Sequence, residues 1–360
     1  MDYTKLFTIE NVAGFCPNKG IYAYSKGEKS YLFLDDILIE KDCARVPCEL
    51  IHWNQYIYAW YGSGKFELYE GHRLLKSIES NTHLLNEQTQ YIGKHFIDLD
   101  SCQTYSNFVS PIDEQLILSE FIPYRLYVED DIIIAYDNFR GEFKRINTEI
   151  ETLWQFTIAS LGDSPYLDEE DKIGDFLGIT NNYLWIITNL GRLIAIDIET
   201  GEVQRVASSH PIDEKYNYHI NKAFGHIYIK EENGNLYCMS YNMVTIIDTQ
   251  TFSIKEEYNF REEDPEGMGQ YESVYKPLLQ GDYFTFLGEK EEDFGSGIRR
   301  VGIFDYKTRK LVWEYEVISE DEFDETRNHL VVPQPLYMSG NKLYIKDFKN
   351  TLHIFERKDI

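Results

Sequence analysis

The chain has 360 residues, 43% hydrophobic and 15% aromatic, with 28 Tyr and 21 Phe. That composition suits many short packed strands and excludes a largely disordered polypeptide. Its 61 acidic and 35 basic residues give a formal net charge of −26, which repels nucleic-acid phosphates and anionic membranes and favours basic protein partners.

Taken in chain order, the start Met1 to Phe7 lacks a basic region followed by an apolar run, so no secretory signal is expected. No run of about 18 apolar residues follows, so no transmembrane helix is expected either. The five cysteines, Cys16, Cys43, Cys48, Cys102 and Cys238, are odd in number and scattered. Cys43 and Cys48 have no second pair to complete a metal site, and buried reduced thiols in a cytoplasmic protein are expected.

Residues 182–206 carry the fullest strand pattern, three short alternating runs joined by tight turns. At Asp197-Ile198-Glu199-Thr200-Gly201 the Asp side chain accepts nearby backbone N–H groups and the Gly takes a positive φ, so the chain reverses. Weaker copies align on Asp197, giving anchors at 35, 70, 147, 197, 248, 305 and 356 with spacings of 35, 77, 50, 51, 57 and 51. Most spacings match one four-stranded propeller blade. The 77-residue interval marks 81–121 as an inter-blade insertion or a degenerate blade. The expected fold is all-β, a single β-propeller over 1–360 with seven four-stranded blades, eight being the alternative. The last copy ends where a fourth strand is still needed, so residues near 3–9 are expected to supply it and close the ring.

The pattern Gly-x-Leu-x-Ala-Ile-Asp-x-x-Thr-Gly at 191–201 resembles PQQ-like and WD40-like propeller repeats. The resemblance implies a fold and leaves activity open. A tryptophan after the turn, typical of PQQ-like repeats, occurs only at Trp154 and Trp313. Quinoprotein dehydrogenases resemble the same repeat, but the chain has no vicinal cysteine pair and no complete tryptophan set. No cofactor is expected.

In a blade of alternating strands, the link between blades and the turn between second and third strands emerge on one face. Four acidic runs share it by this parity: Asp168, Glu169, Glu170 and Asp171; Glu262, Glu263 and Asp264; Glu291, Glu292 and Asp293; and Glu320, Asp321 and Glu322. They are either solvated loops or a binding surface that attracts a basic protein. Tyr166, Phe260, Tyr271, Phe294 and Phe323 beside them are interface anchors in the second reading and loop packing in the first.

Neither 291–297 nor 231–235 has the ligand spacing of an EF-hand, so no metal site is expected. No Gly-x-Ser-x-Gly, His-Glu-x-x-His or phosphate-loop motif is present. His210 and Arg261 are conceivable members of a channel site, though nothing selects them. The leading expectation is a non-enzymatic, monomeric interaction module whose acidic face binds a basic partner, one version being an inhibitor or immunity-type protein against a basic toxin. The alternative is a propeller enzyme or small-ligand binder using a polar central channel.

Overall fold

The turn that ends each third strand organises the repeat. Asp197 Oδ1 accepts the backbone N–H groups of Glu199 and Thr200, both at 2.9 Å, and the Gly201 N–H donates to the Asp197 carbonyl at 2.8 Å. Gly201 has φ +75°, a conformation that a Cβ disfavours. Asp248 accepts from Gln250 and Thr251 in the same way, and Asp305 from Lys307 and Thr308. In those two turns Phe252 (φ +53°) and Arg309 (φ +58°) occupy the glycine position. Their side chains hold them there. Phe252 packs on Tyr183 and Trp185, and Arg309 lies over Tyr258 while pairing with Glu256 and Glu263.

The computed structural model describes residues 1–43, 45–53, 55–62, 65–79, 82–84, 92–98, 103–109, 116–118, 125–129, 131–137, 141–147, 149, 151–161, 171–189, 191–205, 226–230, 232–240, 242–293, 298–319 and 335–358. After β1 (Tyr3–Ile9), sheet I comprises β2 (Val12–Cys16), β3 (Ile21–Lys26), β4 (Lys29–Leu34) and β5 (Ile37–Lys41). Sheet II is β6 (Glu49–Trp53), β7 (Tyr56–Trp60), β8 (Lys65–Glu70) and β9 (Arg73–Glu79). Sheet III is β10 (Thr82–Leu84), β11 (Ile92–Asp98), β12 (Gln103–Val109) and β13 (Leu116–Leu118). Sheet IV is β14 (Arg125–Glu129), β15 (Ile132–Asp137), β16 (Glu142–Ile146) and β17 (Thr152–Thr157). Sheet V is β18 (Ile173–Thr180), β19 (Tyr183–Thr188), β20 (Leu193–Asp197) and β21 (Val203–Arg205). Sheet VI is β22 (His226–Ile229), β23 (Leu236–Ser240), β24 (Met243–Asp248) and β25 (Ser253–Asn259), after which α1 (Phe260–Glu263) leads onward. Sheet VII is β26 (Tyr271–Gln280), β27 (Tyr283–Lys290), β28 (Arg300–Asp305) and β29 (Lys310–Glu316). Sheet VIII joins β30 (Tyr337–Ser339), β31 (Lys342–Lys346) and β32 (Leu352–Arg357) to β1.

The described residues thus form eight four-stranded sheets, the larger of the two counts weighed from the sequence. All seven anchors fall at the end of a third strand, from Asp35 after β4 to Glu356 in β32. The sheet without an anchor is sheet III, inside the 77-residue interval. The closing strand is where it was expected. β1 pairs antiparallel with β32 from Tyr3↔Arg357 to Ile9↔Leu352, with a bulge between Lys5 and Phe7.

The chain divides into two compact units, Met1–Ile78 with Tyr237–Ile246 and Glu256–Ile360, and Glu79–Leu236 with Ile247–Lys255. In each, the apolar faces of neighbouring sheets make the core. Both repeat tryptophans serve this packing. In the second unit the Trp154 indole donates to the Ile198 carbonyl at 2.7 Å, in the turn of the next sheet. In the first unit Trp313 on β29 packs edge-on against Tyr3 and Phe355 of sheet VIII.

Candidate functional site at the end of sheet VII

Alternating strand direction brings the link into a sheet and its second-to-third turn to the same end. In sheet V, Asp171 of the incoming link pairs with Arg192 of the β19–β20 turn, and Lys172 N–H donates to Asn189 Oδ1 at 2.6 Å. The Asp171 carboxylate is only 5% exposed. This acid ties link to turn.

Sheet VII has the same arrangement on a larger scale. Tyr271 registers with Lys290, Gly288 with Arg300, and Arg300 with Glu316, so these residues mark one end of the sheet. The link Phe260–Gln270 and the loop after Lys290 meet there. Asn259 caps α1, its side chain accepting from the Arg261 and Glu262 N–H groups and donating to Glu262 Oε1 at 3.0 Å. Asp264 is the buried hub. It accepts the N–H groups of Met268 and Leu311, at 3.1 and 2.8 Å, and the Lys310 ammonium at 3.1 Å. Burial pushes its carboxyl up, but these donors outweigh burial and hold it below the usual range. Glu263 is taken by Arg309 at 2.7 Å.

A second layer of charge sits beside it. Lys290 donates to Glu314 at 2.7 Å, and the Tyr271 hydroxyl donates to the same carboxylate at 2.7 Å. Burial would raise the Glu314 carboxyl; Lys290 and Tyr271 outweigh it and lower it. Arg299, buried, donates to Glu316 at 2.6 Å, and Arg300 lies 3.5 Å from both Glu316 and Glu292. Between link and loop lies a surface hollow of about 270 Å³ lined by Gln270, Lys290, Glu291 and Glu292.

The structure separates the acidic candidates by role. Asp171 and Asp264 are buried and spent on their own chain, and Glu263 is paired. Glu262, Glu291 and Glu292 remain at the surface, and Asp293 closes the short 3₁₀ turn Glu291–Asp293. Asp168, Glu169, Glu170, Glu320, Asp321, Glu322, Tyr166, Phe294, Phe323 and His210 lie outside the described residues. Phe260 and Tyr271 are loop packing, since both are buried and lie against Phe304 and Phe286 respectively. Arg261 donates to the Glu272 carbonyl at the start of β26. Lys290, Arg299, Arg300, Glu314 and Glu316 were missed. The alternation of Glu314 and Glu316 along β29 was the available signal, because such residues share one sheet face.

Cys16 and Cys238 are buried, but Cys43 and Cys48 are exposed, which corrects the expectation that all thiols are interior. Both lie at or beside the irregular link between sheets I and II, which leaves the thiols open to solvent. Among the described residues no group of three His, Cys, Asp or Glu is placed to hold a metal ion. None of their helices is long and apolar enough to cross a membrane.

No protein-family model matches the chain, and no curated protein matches its sequence. Solved structures do match. The C-terminal WD40 domain of Sif2 is 11% identical, with TM-score 0.58 over 99% of this chain and 98% of that one. Sqt1 of Saccharomyces cerevisiae is 11% identical, with TM-score 0.56 over 99% of each chain. BamB of Moraxella catarrhalis, a PQQ-like propeller, is 11% identical, with TM-score 0.52 over 100% of this chain and 99% of that one. The fold is therefore a β-propeller, as the repeat implied.

Proposed function

We propose that this propeller is a non-enzymatic, cytoplasmic, monomeric protein–protein interaction module whose acidic loops at the end of sheet VII receive a basic segment of a partner. The observation that carries this reading is the hollow between Gln270, Lys290, Glu291 and Glu292. Its Lys290 is already engaged by Glu314, Arg300 is shared between Glu316 and Glu292, and Glu291 and Glu292 stand exposed on its wall. A lysine or arginine entering there meets two carboxylates, and the net charge of −26 accelerates its approach. A concrete version is an inhibitor or immunity-type protein that covers the active site of a basic toxin or nuclease.

The test is capture of a basic protein from the source cell, followed by binding kinetics with purified partner. Glu291→Lys with Glu292→Lys should lower the on-rate at least tenfold at low salt, and wild-type binding should weaken as salt rises. Binding that ignores both the charge reversal and the salt overturns the proposal.

A second reading, a small-ligand binder or enzyme working in the channel that propellers enclose, is favoured by one cluster in the second unit. The Tyr127 hydroxyl on β14 donates to Glu129. On adjacent β18, Asp175 reaches solvent but is crowded enough for desolvation to raise its carboxyl, partly offset by the Phe176 N–H and by His226 on β22. Calorimetric titration with arginine and putrescine tests it. Heat that vanishes in Asp175→Asn supports this reading, and the absence of heat from the wild type removes it.

A further inference from the structure

Among the described residues, six of the eight large apolar side chains left exposed lie on the outermost strands of sheets VIII, I and II, all in the first unit. They are Leu6 and Phe7 on β1, Ile37 and Leu38 on β5, and Leu74 and Leu75 on β9, from 40% exposed at Leu75 to 52% at Phe7. Successive strand residues point to opposite faces, so each adjacent pair leaves both faces of its strand uncovered. The β1 pair sits at a bulge. The β5 pair does not, since β4 and β5 keep unbroken register from Ser30↔Lys41 to Leu34↔Ile37.

The β5 and β9 pairs belong to one surface. A Cβ built on Gly71, in the turn before β9, would lie 3.1 Å from Asp35 Oδ2, in the turn before β5. That β4–β5 turn differs from its counterparts. Asp197, Asp248 and Asp305 each spend a carboxylate oxygen on two N–H groups that follow. In sheet I, Leu34 pairs directly with Ile37, so only Asp35 and Asp36 form the turn, both left-handed at φ +49° and +58°. A two-residue turn of that hand suits a twisted hairpin and offers the Asp side chains nothing local to accept. Both are exposed, and neither accepts a hydrogen bond or ion pair from a described residue. The charges around them are taken, because Glu70 pairs with Arg73, and Lys29 with Glu40 and Asp42. Burial raises the Tyr22 and Tyr344 hydroxyls, and the charge of Asp36 adds to it.

Apolar surface of this extent is stabilised by being covered. The two carboxylates select what covers it. An acidic or purely apolar segment would strand them away from water, whereas a lysine or arginine supplies both charge and donors.

We propose that the outer rim of sheets I and II, where Ile37, Leu38, Leu74 and Leu75 adjoin Asp35 and Asp36, docks a protein segment that carries large apolar residues beside lysine or arginine. The apolar side chains of the segment cover the β5 and β9 pairs, and its cation pairs with the Asp35–Asp36 turn. Turns between third and fourth strands emerge at the end of a blade opposite the second-to-third turn. The surface is therefore separate from Glu291 and Glu292 and does not depend on them.

The test is fluorescence anisotropy of the full chain with three short labelled peptides, one of leucine and lysine, one of leucine and glutamate, and one of serine and lysine. Ionic strength is physiological, so that charges beyond about 8 Å are screened. Saturable binding of the leucine–lysine peptide is expected, with the other two at least tenfold weaker. Leu38→Thr with Leu74→Thr should weaken it at least tenfold, because threonine keeps the strand and removes apolar surface. Asp35→Asn with Asp36→Asn should do the same, since asparagine tolerates the left-handed turn without the charge. Cooperative melting of both variants separates lost binding from lost folding. Glu291→Lys with Glu292→Lys should leave this binding intact; loss in that variant alone assigns the peptide to the end of sheet VII and overturns the present proposal. No saturable binding, or equal binding of the serine–lysine peptide, also overturns it. Gel filtration and sedimentation with phosphatidylcholine vesicles address other occupants. Self-association or vesicle binding that disappears in Leu38→Thr with Leu74→Thr would give the surface to a second copy or to lipid, and either result overturns the proposal.

Discussion

Glu67 shows how the charge of single residues is decided by the fold. Burial opposes its ionisation, but Lys41, Tyr61, Tyr69 and Lys65 outweigh burial and lower its pKa to about 2 from 4.5. A depressed folded-state pKa means stability that is present above pH 4.5 and lost as pH falls through 2. The exposed sides of Lys41 and Lys65 let water screen the pairing, so the contribution at neutral pH is about 2 kcal/mol. Glu67→Gln should cost that much in urea unfolding at pH 7, with the gap to wild type closing near pH 2. A gap independent of pH would mean that the carboxylate is not ionised in the folded protein. The same residue scale explains why acidic runs did not reveal their roles. Glu263 and Arg309 are 46 positions apart and Lys41 and Glu67 are 26 apart, so no local pattern shows that either acid is already paired.

Elements were more legible where their chemistry is local. The Asp turns after β20, β24 and β28 follow from an Asp whose partners lie two and three residues on. Sheet III was left between insertion and blade because none of the seven anchors aligned on Asp197 falls within 81–121, although β11 pairs with β12 from Ile92↔Val109 to Asp98↔Gln103. Close strand packing was likewise hidden. Gly302 pairs with Phe286 across β27 and β28, and a Cβ there would lie 2.3 Å from the Phe286 ring. Gly302→Ala should destabilise by roughly 1–3 kcal/mol. Adding Phe286→Leu should recover part of that, giving a coupling of about 1 kcal/mol in chemical denaturation. Additive costs would show that the ring does not cause the strain. Trp154→Phe should cost about 1 kcal/mol through loss of the hydrogen bond to Ile198. An unchanged melting midpoint would count against that bond.

For the whole molecule, β1 is the decisive strand because it completes sheet VIII from the far end of the chain. Removing residues 1–10 should expose the β32 edge and strip Tyr3 from Trp313. Lower melting temperature and self-association in gel filtration are the expected results. A truncated chain that stays monomeric and melts unchanged would show that β1 does not stabilise the fold. The bulge between Lys5 and Phe7 leaves Leu6 and Phe7 exposed on an irregular edge, a device that discourages further strand pairing. By itself the sequence determined the propeller, seven of its anchors and the closing strand, because turn chemistry and period-two alternation act over a few residues. Only the tertiary structure decided that Asp171 and Asp264 lock loops while Glu291 and Glu292 face outward. It also decided that the outer turns of sheets I and II meet. Both depend on which distant backbone segments the sheets bring to a common end, and electrostatic partners follow distance in space rather than in sequence.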